Sequence, residues 1–312
     1  MSSITGSVRE AAAAARVVSE RAELWLPGAV CWITSIGWLP FVLTVARLPG
    51  EGDLTFFGAG IVTSGAWPFN AIALVTGSLG VVLAALALFA LGEVALLAGL
   101  RLVIGDGASV RVGRAALRVL GVELIAAVPL ALAFTALVVA LVAVAPAEFR
   151  SPDIGGALGE RILGPVLPLI VIVLGALLLG QSFGAVAARR ILLGRQTLRS
   201  AIGGGMRDLR RDLGGITPVA LTTLVVTAAY AVAVLLLLRV LWAPIAAQLS
   251  GGPGIGAEAA LLLVGFVAIW LCLVLGGGAV HAWASVWWTL ELADAAPWPV
   301  GPVSSSQESR PA

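Results

Sequence analysis

Residues Leu100 to Pro129 read LRLVIGDGASVRVGRAALRVLGVELIAAVP: the end of one apolar run, a Gly-Asp-Gly break, an arginine-bearing stretch, and a second apolar run opening around a proline. The same order returns at Ala188 to Pro218, ARRILLGRQTLRSAIGGGMRDLRRDLGGITP. Its second half stands near the N-terminus as Ser7 to Pro27, SVREAAAAARVVSERAELWLP. Each copy carries Ser or Thr, then Val or Leu, then Arg: Ser7-Val8-Arg9, Ser109-Val110-Arg111 and Thr197-Leu198-Arg199. A second arginine follows on the same helix face at Arg16, Arg118 and Arg207, because positions seven or eight apart coincide at 3.6 residues per turn. Pro27, Pro129 and Pro218 close the three patterns. Marks that recur in one order at three places point to internal repetition. The expected fold is all-α: a polytopic membrane protein with six transmembrane helices, in three repeated units of an amphipathic surface helix plus a helical hairpin.

Composition agrees with lipid as the main solvent. The 312 residues are 60% hydrophobic and 12% charged, with a mean hydropathy of +1.05, and a soluble domain carries about twice that charged fraction. All 19 basic residues are arginine, which reads as the base composition of the gene. A net charge of +2 gives no reason to expect nucleic acid. Cys31 and Cys272 fall inside apolar runs and read as small hydrophobes, so neither a disulfide framework nor a metal site is expected. No short apolar run with a small-residue cleavage site opens the chain, so no removable leader is expected.

In order, residues 3 to 22 read as a surface helix, with Ser7 and Glu10 spaced as a capping box. Spans are expected at Leu24 to Val45, Trp67 to Ile104, Leu120 to Ala145, Arg161 to Leu193, Gly215 to Val240 and Glu258 to Ala293. The second and fourth exceed the roughly 20 residues that cross the hydrocarbon. The sixth is interrupted at Gly276-Gly277-Gly278, where a kink costs little. Further surface helices are expected around Arg111, Arg114 and Arg118 and from Thr197 to Asp212. Residues 1–293 thus form one membrane domain, with repeat units of about 5–104, 107–193 and 196–293, followed by a disordered tail over 294–312. Arginines crowd the N-terminal segment and the connectors after the second and fourth spans. By the positive-inside rule both termini and those connectors are cytoplasmic, in a bacterial plasma membrane.

Two sets of residues are candidates for function. Arg9, Arg16, Arg111, Arg114, Arg118, Arg199, Arg207, Arg210 and Arg211 lie on the basic faces expected to meet anionic headgroups on the cytoplasmic side. A competing account has one of these helices dock a cytoplasmic or membrane protein partner. The second set is intramembrane: Glu93, Gln181-Ser182 and His281 fall at similar depth in the even-numbered spans, about twelve residues before the cytoplasmic end. Around a threefold axis they would form a polar layer, either a proton relay between Glu and His or a set of interhelical hydrogen bonds that lock the bundle. Glu123 and Asp212 each precede a proline by six residues, and both read as partners of neighbouring surface-helix arginines. Trp283, Trp287 and Trp288 read as an interfacial belt.

The layout of surface helix, span and overlong span, with glycine then Ser or Thr and a basic stretch between units, resembles the membrane domain attached to some glycerophosphodiester phosphodiesterases. It is similar also to the related six-span bacterial proteins without a catalytic domain. The resemblance covers about residues 5 to 293, and no hydrolase domain follows Ala293, so phosphodiester cleavage is not implied. With one histidine and one tyrosine, and neither a zinc HExxH pair, a P-loop nor a nucleophile elbow, no enzyme and no cofactor are expected. The expected role is an envelope, lipid-interacting or membrane-partner function. The alternative is a transport component, a proton-coupled carrier or permease subunit, using the Glu93 layer.

Overall fold

The computed structural model describes residues 4–46, 60, 63, 65–104, 112–149, 158–250 and 256–295. Among them there is no strand. The elements are α1 (Ile4–Glu20), α2 (Trp25–Trp32), α3 (Trp38–Val45), α4 (Phe69–Ile104), α5 (Val112–Phe149), α6 (Leu158–Leu192), α7 (Leu198–Arg211), α8 (Leu213–Ser250) and α9 (Ala257–Ala295). Among the described residues, six segments are long and apolar enough to cross a bilayer: α2 with α3, then α4, α5, α6, α8 and α9. The chain is a multi-pass integral membrane protein. Overlength is general, since α4 to α9 apart from α7 each have 35 to 39 residues. At 1.5 Å per residue that is over 50 Å, against about 30 Å of hydrocarbon.

Several boundaries differ from expectation. The second surface helix is not separate: α5 runs unbroken through Arg114 and Arg118 into the third span, because nothing after Val112 interrupts the helical ladder before Pro129, whose predecessors already supply a full helix. The third is separate. Thr197 accepts a hydrogen bond from Ser200 N at the start of α7, and Asp212 ends that helix in a non-helical conformation. The fifth span extends to Ser250 because Leu238 and Ile245, seven apart, continue its buried face past Val240. The glycine triplet at 276–278 does not interrupt α9. It is a crossing point: a Cβ on Gly28 of α2 would collide with the Gly278 carbonyl, and one on Gly277 would meet the Trp32 ring. The Gly105-Asp106-Gly107 break, Arg111, the connector at 47–59, Arg150 and the tail from 296 lie outside the described residues, as does the Ser7 side chain.

The first span contains a wide π-type segment at Ile33–Gly37. Its cause is local. Thr34 and Ser35 donate their hydroxyls back to Val30 O and Cys31 O at 2.7 Å each, which loosens the regular ladder, and Pro40 has no N–H to offer the preceding turn. Such segments reorient neighbouring side chains, and here Cys31 and Trp32 just before it are both buried.

Packing is concentrated at one end. The main core joins Leu24 of the first span, Val94 and Leu97 of α4, Val119 and Val122 of α5, Val186 and Ile191 of α6, Val219 of α8 and Val286 of α9. All belong to the end that carries α1 and α7. A smaller cluster at the other end joins Phe41 of α3, Leu238 and Ile245 of α8, and Phe266 and Trp270 of α9. By contrast, Ile72 through Ala84 of α4 are exposed around the whole helix circumference.

Candidate functional site

A buried polar group sits inside the main core, where α2, α4, α6 and α9 converge. Glu93 on α4, Arg189 on α6 and Ser285 and Thr289 on α9 are all buried. Helical spacing explains the grouping. Ser182, Val186 and Arg189 fall on the inward face of α6, and Ser285 and Thr289 stack one turn apart on α9.

Arg189 has 1% of its side chain exposed. Its Nε donates to Thr289 Oγ1 at 3.1 Å and its Nη1 to Ala185 O at 2.9 Å. Its Nη2 donates to Ser285 O at 2.6 Å and Ser285 Oγ at 2.8 Å. Nη1 also lies 3.6 Å from Glu93 Oε1. The Glu93 carboxylate is divided: Oε1 accepts from Ser285 Oγ at 3.1 Å and faces Arg189, whereas Oε2 faces His281 Nε2 at 3.3 Å. His281 keeps 23% of its side chain exposed and meets Phe89 edge-on at 5.7 Å between ring centres. Glu123 of α5 is within electrostatic range of both Glu93 and Arg189, and its carboxylate covers Gly184 of α6.

Cys31 completes the neighbourhood. Its thiol is buried and donates weakly to Phe89 O, with sulfur and oxygen 3.6 Å apart. Cys31 Sγ, a Glu93 carboxylate oxygen and a His281 ring nitrogen all lie within 4.8 Å of one another. Gly92 makes this possible, since a Cβ there would sit 2.7 Å from Cys31 Sγ.

The structure therefore brings together Glu93 and His281 of the anticipated layer and leaves Gln181 out. Gln181 is exposed on α6, because the face turned inward begins one residue later. Ser182 is buried, yet it takes no part in the hydrogen bonds around Glu93. The third helix contributes Arg189 instead, two turns further along. Arg189 is not singled out by the sequence, where it reads as one more arginine at the end of an apolar run.

Three other readings change. Asp212 does not pair with an arginine in the hydrogen bond it makes: its Oδ1 accepts from Gly215 N at 3.2 Å, capping α8. The guanidinium that acts electrostatically on Glu123 is the buried Arg189 and not a surface-helix arginine. Trp287 and Trp288 are buried, and Trp283 donates from its indole to Ala11 O of α1 at 3.0 Å. These tryptophans pack the core beneath α1 and do not form a belt.

Of the anticipated headgroup contacts, Arg9, Arg16, Arg114, Arg118, Arg199, Arg207, Arg210 and Arg211 are exposed. Arg190 is tied down, donating from Nε to Asp208 Oδ2 at 2.7 Å and so fixing α7 to the end of α6. An apolar cleft of about 440 Å³ opens under α1, lined by Ala15, Val18, Trp25, Val226, Val280 and Trp283, with Ser19 at its polar edge. Compared with protein-family models, curated proteins and solved structures, the chain matches none.

Proposed function

We propose that this protein is a non-catalytic, multi-pass protein of the bacterial plasma membrane that works by holding anionic lipid, with both termini and the α1 and α7 end on the cytoplasmic side. The observation that carries the reading is the cleft under α1. Its walls are apolar and open to the surface, and exposed Arg16 lies on the same helix. α7 adds a second basic surface: it buries Ala201, Gly204, Gly205 and Leu209 and presents Arg199, Arg207, Arg210 and Arg211 outward. Arginines at an anionic interface contribute about 1 kcal/mol each, roughly a fivefold change in lipid occupancy per charge. The resemblance of the sequence layout to the membrane domain of glycerophosphodiester phosphodiesterases supports a membrane-embedded role without hydrolysis.

The test is lipid retention. The full chain, reconstituted in mixed phosphatidylglycerol and phosphatidylethanolamine nanodiscs and released into native mass spectrometry, should carry phosphatidylglycerol in excess of its bulk share. Replacing Arg16 by Gln should remove part of that excess, and replacing Arg207, Arg210 and Arg211 as well should remove most of it. Retention that mirrors the bulk mixture in the unaltered protein would sink the reading.

The 3.3 Å approach of His281 to Glu93 favours a second reading, a transport component that moves protons through this pair. Under it, Glu93→Gln abolishes proton-coupled flux in proteoliposomes. Unchanged flux would remove Glu93 from any transport mechanism.

A further inference from the structure

We infer that Cys31, Glu93 and His281 form a binding site for a divalent transition-metal ion of the zinc type, buried in the packed end of the bundle and joining α2, α4 and α9.

The donor set is chemically suited to such an ion. Thiolate, imidazole and carboxylate are the three side-chain ligands zinc takes. Two ligands held about 2.1 Å from a tetrahedral ion lie about 3.4 Å apart. His281 Nε2 and Glu93 Oε2 stand 3.3 Å apart, so these two atoms already have the spacing of a tetrahedron edge. Cys31 Sγ is within 4.8 Å of both other ligand atoms, and a zinc-bound sulfur would lie about 3.6 Å from them. Closing that gap takes a shift of about 1 Å, and the thiol's present 3.6 Å bond to Phe89 O is weak enough to yield.

The surroundings are those of a supported ligand. A metal-binding carboxylate is held by hydrogen bonds on the oxygen that does not bind. Ser285 and Arg189 both address Oε1 of Glu93, and Oε2 remains turned toward His281. The Glu93 carboxylate and the Cys31 thiolate formed on binding supply two negative charges beside the single guanidinium of Arg189, so the ligand set accommodates a cation. Binding proceeds with loss of the Cys31 thiol proton to solvent, while His281 binds as neutral imidazole. Three protein ligands leave one tetrahedral position for water or another small ligand.

The experiment uses the full chain, metal-free, in mild detergent, titrated with cobalt(II) and then zinc(II). Cobalt should produce thiolate charge-transfer absorption at one equivalent, and zinc should bleach it. Cys31→Ser should abolish the absorption, His281→Gln should weaken binding at least tenfold, and Cys272→Ser should leave it intact. The absence of a charge-transfer band in the unaltered protein, or its persistence in Cys31→Ser, would overturn the inference. X-ray absorption of the zinc-loaded, unaltered protein is the check that needs no variant. One sulfur in the first coordination shell is expected, and a shell of nitrogen and oxygen alone overturns the site. None of these readouts depends on lipid retention, so this site and the lipid-holding role stand or fall separately.

Discussion

Arg189 shows how a full charge can sit in the core of this bundle. Five nitrogen-to-oxygen contacts surround it, four of them hydrogen bonds to uncharged groups. Removing one partner of such a buried pair costs about 3–5 kcal/mol, because the other charge is left unpaired. Arg189→Ala should therefore lower the thermal unfolding midpoint sharply. Glu93→Gln should cost less, since Gln keeps an acceptor for Ser285 and Arg189 keeps its four hydrogen bonds to uncharged groups, while the ionic contacts of the carboxylate with Arg189 and His281 are lost. A double substitution to Met at Arg189 and Leu at Glu93 should recover much of the single-variant loss. Equal midpoints for Arg189→Ala and the unaltered protein would contradict this account. Gln181→Leu, by contrast, should leave both stability and any flux unchanged, since its side chain is exposed outside the cluster. Glu93 and His281 were legible in the sequence because depth along a span can be counted. The choice between Gln181 and Arg189 was not, because a rotation of α6 by a single residue decides it, and that rotation is set by tertiary packing.

At the scale of elements, the joints are made by small groups and single hydrogen bonds. α2 crosses α9 with backbone against backbone at Gly28 and Gly278. Gly278→Val should destabilise the protein by at least the 1–3 kcal/mol typical of overpacking, about, and broaden its elution in detergent. α1 is tied by two indoles, Trp283 to Ala11 O and Trp25 to Val18 O. Trp283→Phe removes one bond worth about 1 kcal/mol, and amide hydrogen exchange in α1 should rise by several fold while α9 stays protected. Asp212 distinguishes a cap from an ion pair. Asn caps as well as Asp, so Asp212→Asn should retain stability whereas Asp212→Ala should lose about 1 kcal/mol; a matching loss in both would favour charge. Helix number and approximate limits followed from hydropathy, but the merging of surface helix and span in α5 did not. An amphipathic stretch and an apolar stretch share the same backbone conformation, and only a break in hydrogen bonding separates them.

At the scale of the molecule, the six membrane-crossing segments among the described residues are held mainly at one end. The arginine-rich α7 and the polar cluster belong to that end, and so does α1. The proposed topology puts it in the cytoplasm, so a reporter fused after Arg211 should be active inside the cell and silent in the periplasm. The opposite pattern would reverse the orientation. The sequence made this asymmetry visible only in part. It showed where charge accumulates, but a uniformly apolar span gives no sign of which turns touch protein and which touch lipid. The bare stretch Ile72 to Ala84 of α4 is the clearest case. There the neighbours that fix a helix in a water-soluble core are supplied by fatty tails, so this half of α4 takes its surroundings from the bilayer and not from the protein.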